Sequence, residues 1–467
     1  VPADNLILIT IDALRHDALG CVGSSYASTP NLDALAARGV LFEQAIANGP
    51  RTQSSFPAIM TSLYPLVAGE RRRLPSKART LAEALSGAGF ATAGFNPSNP
   101  FLTRETGYHR GFDLFVDFWD AHERTGEPGT TSRWGSVKRR IHDAVGRRSL
   151  GFLMLAQALL MEEGGQYLTG RYITDRALAW LERGRGPFFL WLHYMDVHYP
   201  YQPIPGQRRL ADRLSYLSGM LGLTMGRTGA AISALRTLYG ARVALVDELV
   251  GDLVRGIAGL GLADTTAVVV TSDHGERLGE RGRWAHGPDL HDELIHVPLI
   301  ITGPALTGPR RIDRQVELLG LAPTVLELVG VPIPPSFLGA SFASQTLGLA
   351  DTDVESVFSE AMHGGSRTSR SGMPDVHTIT SCRRQGWKLI HDTEDDSVEL
   401  FDLTADPREI DNLARECPEK TDLLRGMIEE HRRTSSELAS SFGDRENSPD
   451  APDDAEMRRR LASLGYL

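Results

Sequence analysis

Short apolar runs recur along the chain and alternate with stretches of helical period. The runs Leu6–Ile11, Ala91–Phe95, Pro187–His193, Thr266–Thr271 and Val297–Ile301 read as buried strands, being mostly apolar and rich in β-branched and aromatic residues. Between them, Asn31–Arg38 after the Thr29-Pro30 turn, Leu81–Ala88, Tyr172–Arg183 and Ser233–Leu260 carry apolar residues at helical spacing. Gly259 and Gly261 close the last of these before the strand that follows. Such alternation predicts an α/β fold, a mainly parallel sheet with helices on both faces.

The pattern breaks in three places. Ala121–Gly170 and Pro203–Thr228 mix Gly, Arg and Ser with short apolar patches and read as helical or loop insertions above the sheet. After about Gly364 the composition changes, and Gly364–Pro374 reads as a flexible linker or mobile loop. The runs His377–Cys382, Trp387–His391 and Val398–Asp402, with a helix around Thr421–Leu438, predict a small C-terminal α+β subdomain built on an antiparallel sheet. Ser441–Glu456 is acidic and Pro-bearing, a poorly ordered tail, and Met457–Leu467 regains helical period as a docking segment. The expected division is therefore 1–364, 365–440 and 441–467.

With 467 residues the chain can bury a large core. A formal charge of -10 argues against a general nucleic-acid binder, and an anionic substrate would need local positive charge from a metal or a few His and Arg. Cys21, Cys382 and Cys417 show no paired spacing, which excludes a disulfide scaffold and a Cys-based zinc motif. The longest apolar stretch, Gly151–Met161, is closed by Glu162-Glu163 and falls short of the roughly 20 residues of a span, so no transmembrane segment is expected. The compartment stays open: cytoplasmic if Val1 lies near the true start, exported if a leader was removed. Oligomeric state is unknown from the sequence.

Two strand ends carry the chemistry. Asp12 follows Asn5–Ile11, and Asp273-His274-Gly275-Glu276 follows Thr266–Thr271. Strand ends of open α/β sheets face the crevice where ligands bind. Carboxylates and an imidazole from two such ends could hold one divalent cation, calcium, manganese or zinc, with His274 shifting preference toward the latter two. Between them lies Arg51-Thr52-Gln53-Ser54-Ser55-Phe56-Pro57, a hydroxyl-rich segment that could set a nucleophile against the ion.

The segment Ile11-Asp12-Ala-Leu-Arg-His-Asp17-Ala-Leu-Gly-Cys-Val-Gly23 resembles the opening of the sulfatase family, within the alkaline phosphatase superfamily. Also similar are Leu192-His193-Tyr-Met-Asp196-Val-His198-Tyr-Pro-Tyr201, Ser272-Asp-His-Gly-Glu276 with Trp284-Ala-His286-Gly287, and Glu399-Leu-Phe-Asp-Leu403 with Asp406-Pro-Arg-Glu409 and Asn412-Leu413. Leu464-Gly-Tyr466 closes the set. These matches run in family order over nearly the whole chain and imply an alkaline-phosphatase-like fold.

The resemblance implies Asp12, Asp273 and His274 as metal ligands and His198 and His286 on the substrate side, where a neutral His could protonate the leaving oxygen. Asp17, His291 and His296 are expected to be structural, with His193 and Asp196 undecided. Many sulfatases carry two consecutive Asp residues where this chain has Ile11-Asp12, and Asn where it has His274. They also use a Cys-x-Pro-Ser-Arg motif whose Cys becomes formylglycine. Counting back from Thr61-Ser62 puts Thr52 at that Cys, Ser54 at the Pro, Ser55 at the Ser and Phe56 at the Arg. Thr52 could still attack, since a cation lowers a hydroxyl's pKa and orients its oxygen. It could also cap the helix expected near Ser54, or Ser54 or Ser55 could be the reacting hydroxyl. Arg51 and Ser55 are expected against the substrate's oxygens. The family's Lys-x-His downstream of Gly89-Phe90-Ala91-Thr92 is replaced by Asn96-Pro97-Ser98-Asn99, which thins the charged clamp.

The expected activity is metal-dependent hydrolysis of a small anionic sulfate or phosphate ester with Thr52 as nucleophile. Phosphotransferase, phosphodiesterase or phosphonate monoester hydrolase activity is the alternative, and a catalytically silent family member binding an anion or partner is the third reading.

Overall fold

The structure, a computed structural model, describes residues 2–69, 73–117, 170–184, 186–199, 201, 228–306, 308–349, 354–368 and 374–442. The insertions expected at 121–170 and 203–228, the apolar stretch 151–161 and the segments from 443 onward lie outside the described residues, apart from Gly170 and Thr228, which open helices. Strands run in chain order as β1 (Asn5–Ile11), β2 (Val40–Ile46), β3 (Ala91–Phe95), β4 (Leu114–Val116), β5 (Phe188–Tyr194), β6 (Thr266–Thr271), β7 (Arg277–Leu278), β8 (Trp284–Ala285), β9 (His296–Thr302), β10 (Arg310–Glu317), β11 (Val357–Thr368), β12 (Pro374–Arg384), β13 (Trp387–Asp392) and β14 (Val398–Asp402).

One sheet of eight strands, ordered β10-β2-β9-β6-β1-β5-β3-β4, forms the centre. It is mostly parallel; β9 alone runs against its neighbours β2 and β6. Alternate residues of a strand feed opposite faces, and the sequence uses both. From β1, Leu6 and Leu8 join the apolar layer with Phe56, Leu81, Leu85 and Leu326, whereas Ile7, Ile9 and Ile11 join that with Ile173, Ala177, Leu249 and Val250. The helices Thr52–Thr61, Leu81–Gly87 and Leu321–Leu328 thus cover one face, and Pro30–Arg38, Gly170–Leu181 and Thr228–Gly259 the other. The helix at Leu81 starts as its sequence directs: Thr80 and Glu83 form a reciprocal capping box.

The second sheet, β11-β12-β13-β14, is antiparallel and packs Cys382, Leu389 and Leu400 against Leu424 and Ile428 of the helix Pro418–Ser441. Much of the segment expected as a linker is strand: β11 runs on to Thr368 and β12 begins at Pro374. Gly and Ser weaken strand propensity, but pairing along most of the hairpin outweighs it. A buried ionic cluster joins this sheet to the larger one. Lys388 Nζ lies 2.7 Å from Asp292 Oδ1 and 2.6 Å from Glu409 Oε1, and Arg383 Nη1 is 2.7 Å from Asp292 Oδ2.

Candidate active site

β1 and β6 lie side by side in parallel register, so their carboxyl ends emerge together. Asp12 and Asp273, both fully buried, therefore face one crevice. The turn after β1 bends at once: Ala13 has φ of +60°, a left-handed conformation that costs energy in a non-glycine residue. Hydrogen bonds hold it there, from Leu14 N to Ser272 Oγ at 2.9 Å and from Tyr239 OH to Ala13 O at 2.8 Å.

Asp12, Asp273 and His274 offer one ligand atom each within 4.8 Å of one another. His274 Nε2 is 3.5 Å from Asp12 Oδ1 and 3.6 Å from Asp273 Oδ2. Its Nδ1 is 2.8 Å from the Gly275 carbonyl, which can only accept, so Nδ1 carries a proton and Nε2 is the nitrogen turned toward the two carboxylates, where its lone pair could meet an ion. Asp12 Oδ1, Asp273 Oδ2 and His274 Nε2 are also the atoms of this group that have no hydrogen-bond partner, although all are buried. Lone pairs converging in the dark of a protein interior are costly unless a cation lies among them. These residues fit a divalent ion.

The three groups also interact strongly through their charges. Burial pushes the Asp12 carboxyl up, but His198, the hydrogen bond with His193 and His274 outweigh it and hold Asp12 well below its usual range. Asp273 is raised by burial and by the charge on Asp12. Burial lowers His274, yet Asp273 and Asp12 together lift it above its usual value. A bound divalent cation would favour both charged carboxylates and the neutral imidazole.

Thr52 opens the helix Thr52–Thr61, for which Arg51, not Thr52, is the N-cap, without a side-chain cap bond. The capping role is therefore not taken up, and Thr52 Oγ1 instead donates to Asp12 Oδ2 at 3.3 Å. Its neighbours are engaged elsewhere. Ser54 Oγ donates to Arg51 O at 3.0 Å and Ser55 Oγ to Asp273 O at 2.5 Å, so Ser55 ties helix to strand end where a substrate contact was expected. Arg51 Nη2 donates to the Met362 carbonyl of β11 at 2.5 Å.

Two further residues line the crevice, Asn99, which was not a candidate, and His193, which the sequence left undecided. Asn99 accepts from Phe101 N at 2.9 Å, which fixes its amide, and donates to Asp12 Oδ2 at 3.1 Å. Its Nδ2 is also 3.2 Å from Nε2 of the fully buried His193, whose Nδ1 is 2.9 Å from Thr10 Oγ1. The signal for Asn99 was its place at the missing Lys-x-His. For His193 it was a polar residue inside an apolar strand.

On the open side the rings of His274 and His286 have centroids 4.5 Å apart, and those of His286 and His198 4.9 Å. The short ribbon of β7 and β8 delivers His286, with Ala285 at φ +57° turning it inward. His286 Nδ1 is 3.1 Å from Glu276 Oε1, and Tyr201 OH donates to Glu276 Oε2 at 3.0 Å. Burial and the His274 charge pull His286 down to about 4. Glu276, despite burial, is lowered by His286 and His198.

The remaining sequence candidates sit apart from the crevice chemistry. Both oxygens of Asp196 accept from Gly170 N, at 3.2 and 3.0 Å, where a helix begins. Asp17 pairs with Arg15. His291 bonds to Asp289, and His296 Nε2 lies 2.7 Å from Glu43 O. Gly275 is required by packing, since a Cβ there would meet the Glu293 carbonyl at 2.2 Å.

The family profile described as Sulfatase matches residues 4–331, which spans both strand ends and the Thr52 helix. The chain belongs to the sulfatase family. It is accordingly a hydrolase of ester bonds, and Asp12, Asp273 and His274 form a group that could hold a metal ion. A second profile, N-sulphoglucosamine sulphohydrolase, C-terminal, covers residues 279–436 and includes the smaller sheet. Arylsulfatase K of Xenopus laevis is 25% identical over 90% of this chain and 80% of its own. Human arylsulfatase A is 27% identical over 88% of this chain and 83% of its own. Among solved structures, the phosphonate monoester hydrolase of Agrobacterium radiobacter superposes with a TM-score of 0.67 at 21% identity, over 95% of this chain and 96% of that one, a likeness of fold. Among the described residues of this sulfatase-family chain, no helix is long and apolar enough to cross a membrane.

Proposed function

We propose that this chain hydrolyses a small anionic ester of a sulfur or phosphorus oxyacid, with Thr52 as the nucleophile and one divalent cation held by Asp12, Asp273 and His274. The observation that carries the reading is the placement of Thr52 Oγ1 3.3 Å from Asp12 Oδ2, beside three buried donor atoms that lack partners. When bound, the ion would supply Lewis acidity that stabilises negative charge on the reacting oxygens. The protein's own residues do the rest. Thr52 directs its proton at Asp12 Oδ2, which leaves its lone pairs free to face the ester. Asn99 holds the same carboxylate oxygen from behind. The amino end of the Thr52–Thr61 helix adds the positive end of its dipole, which favours an anionic oxygen. His198 or His286, on the open side, assists departure of the leaving oxygen.

The names of the relatives favour a sulfate ester. A phosphorus ester is the second reading, and Thr52 itself favours it. A formylglycine can expel sulfate by elimination, whereas an ester on a threonine must be released by water.

A panel of aryl sulfate, phosphate monoester, phosphodiester and phosphonate monoester, assayed after chelation and readdition of manganese, zinc or calcium, tests the proposal. Turnover of at least one substrate should return with metal. Thr52→Ala should lose about 10³-fold or more in kcat, and Thr52→Ser should retain part of it. Equal turnover by wild type and Thr52→Ala would contradict the nucleophile, and inertness of both across the panel would leave an anion- or partner-binding role.

A further inference from the structure

A threonine nucleophile raises a demand that elimination chemistry does not: water must be activated to cleave the covalent ester on Thr52. The structure contains a pair suited to that task. Glu276 is fully buried directly after the metal-ligand loop, and its two oxygens are taken by different partners, Tyr201 OH on Oε2 at 3.0 Å and His286 Nδ1 on Oε1 at 3.1 Å. An ionised carboxylate only accepts, so His286 must present its proton at Nδ1, which leaves the lone pair on Nε2. His286 also keeps 19% of its side chain exposed while Glu276 and His274 have none, so water can reach the ring but not its support. A tilted contact with the His274 ring at 4.5 Å and an edge-on contact with His198 at 4.9 Å hold the ring at the lip of the crevice.

We propose that His286, fixed in one tautomer by the positioning residue Glu276, is the base that activates the water releasing the Thr52 ester; this rests on the Thr52 reading above. In that step the water oxygen forms a bond to the sulfur or phosphorus. The bond from that atom to Thr52 Oγ1 breaks, and its electron pair stays on Oγ1. The water's proton passes to His286 Nε2, the oxyanion departs, and the charges are reset by proton exchange that restores the Thr52 hydroxyl and the neutral imidazole. Water must enter opposite Thr52, through the place the leaving group has vacated, and His286 lies on that open side.

The test uses 4-nitrophenyl sulfate and a 4-nitrophenyl phosphonate monoester with the metal-loaded full chain. 4-Nitrophenolate leaves without needing a proton, so only the second step should feel a substitution at His286. His286→Gln and Glu276→Gln should each give a burst of about one nitrophenolate per active site, followed by turnover slowed roughly 10²–10⁴-fold. Intact-mass and peptide analysis should find one transferred sulfo or phosphonyl group on Thr52 in these variants and little in wild type. His286 is partly exposed, so its variant remains informative if the buried Glu276→Gln misfolds. Slow turnover in His286→Gln without burst or adduct would overturn the water-activating role while leaving Thr52 standing. Full activity of Thr52→Ala, or an adduct on another residue, would instead remove the reading beneath it.

Discussion

At the scale of single residues, the crevice is organised around the two oxygens of Asp12. Oδ1 faces the donors of Asp273 and His274, whereas Oδ2 receives Thr52 and Asn99, with His193 at 3.4 Å. In the proposed reaction one carboxylate would serve both the ion and Thr52, with Asn99 holding the oxygen that faces Thr52. Asn99→Ala should weaken divalent-ion affinity about 10- to 100-fold, as loss of an orienting partner commonly does. Calorimetric titration of the chelated protein with manganese reads this without any substrate, and unchanged affinity would mean that Asn99 is only packing. The sequence announced Asp12, Asp273 and His274 because each sits at the end of an apolar run, a position with a physical meaning. It did not announce Asn99, because an amide in a loop looks the same whether it holds a ligand or a turn. Nor did it show that Ser55 bonds to the Asp273 carbonyl, because which way a helix turns its hydroxyls depends on where the first turn starts.

At the scale of elements, what placed the Thr52–Thr61 helix was hard to read. The strands β2 and β10 flank the segment leading into it, yet Val40–Ile46 is interrupted by Glu43-Gln44 and Arg310–Glu317 is largely charged. β10 is an edge strand, where polar residues are tolerated, so its pattern carries little apolar signal. The central strands were legible because helices cover them on both faces. At the end of β10, Glu317 accepts from Asn48 Nδ2 at 2.9 Å and from Tyr64 OH at 3.0 Å, which bind together the segments before and after the Thr52 helix. Burial pushes its carboxyl up from 4.5 to about 7. A raised carboxyl favours folding while protonated, so its contribution is complete below 4.5 and is lost as pH climbs through 7. The loss is on the order of 3 kcal/mol. Glu317→Gln should therefore melt above wild type at pH 8, with the gap closing toward pH 4.5. A gap that stays constant across that range in thermal unfolding would contradict this account of Glu317.

At the scale of the whole molecule, the smaller sheet is more than an appendage. Lys388 of β13 is fully buried between Asp292 and Glu409, and the Asp292–Ile295 turn lies against Gly275, next to His274. Removing the cation would leave two carboxylates buried with less than their share of positive charge. Lys388→Met should cost about 3–5 kcal/mol, visible as a large drop in the denaturant midpoint, and a change within 1 kcal/mol would show that water or Arg383 compensates. The central claim is that strand ends far apart in sequence meet around one ion with Thr52 beside it. X-ray scattering recorded on either side of the manganese absorption edge, from crystals soaked in manganese, tests this most directly. The account predicts one strong site enclosed by Asp12, Asp273 and His274 with Thr52 adjoining; a crevice without that peak, or a peak elsewhere on the chain, would contradict it.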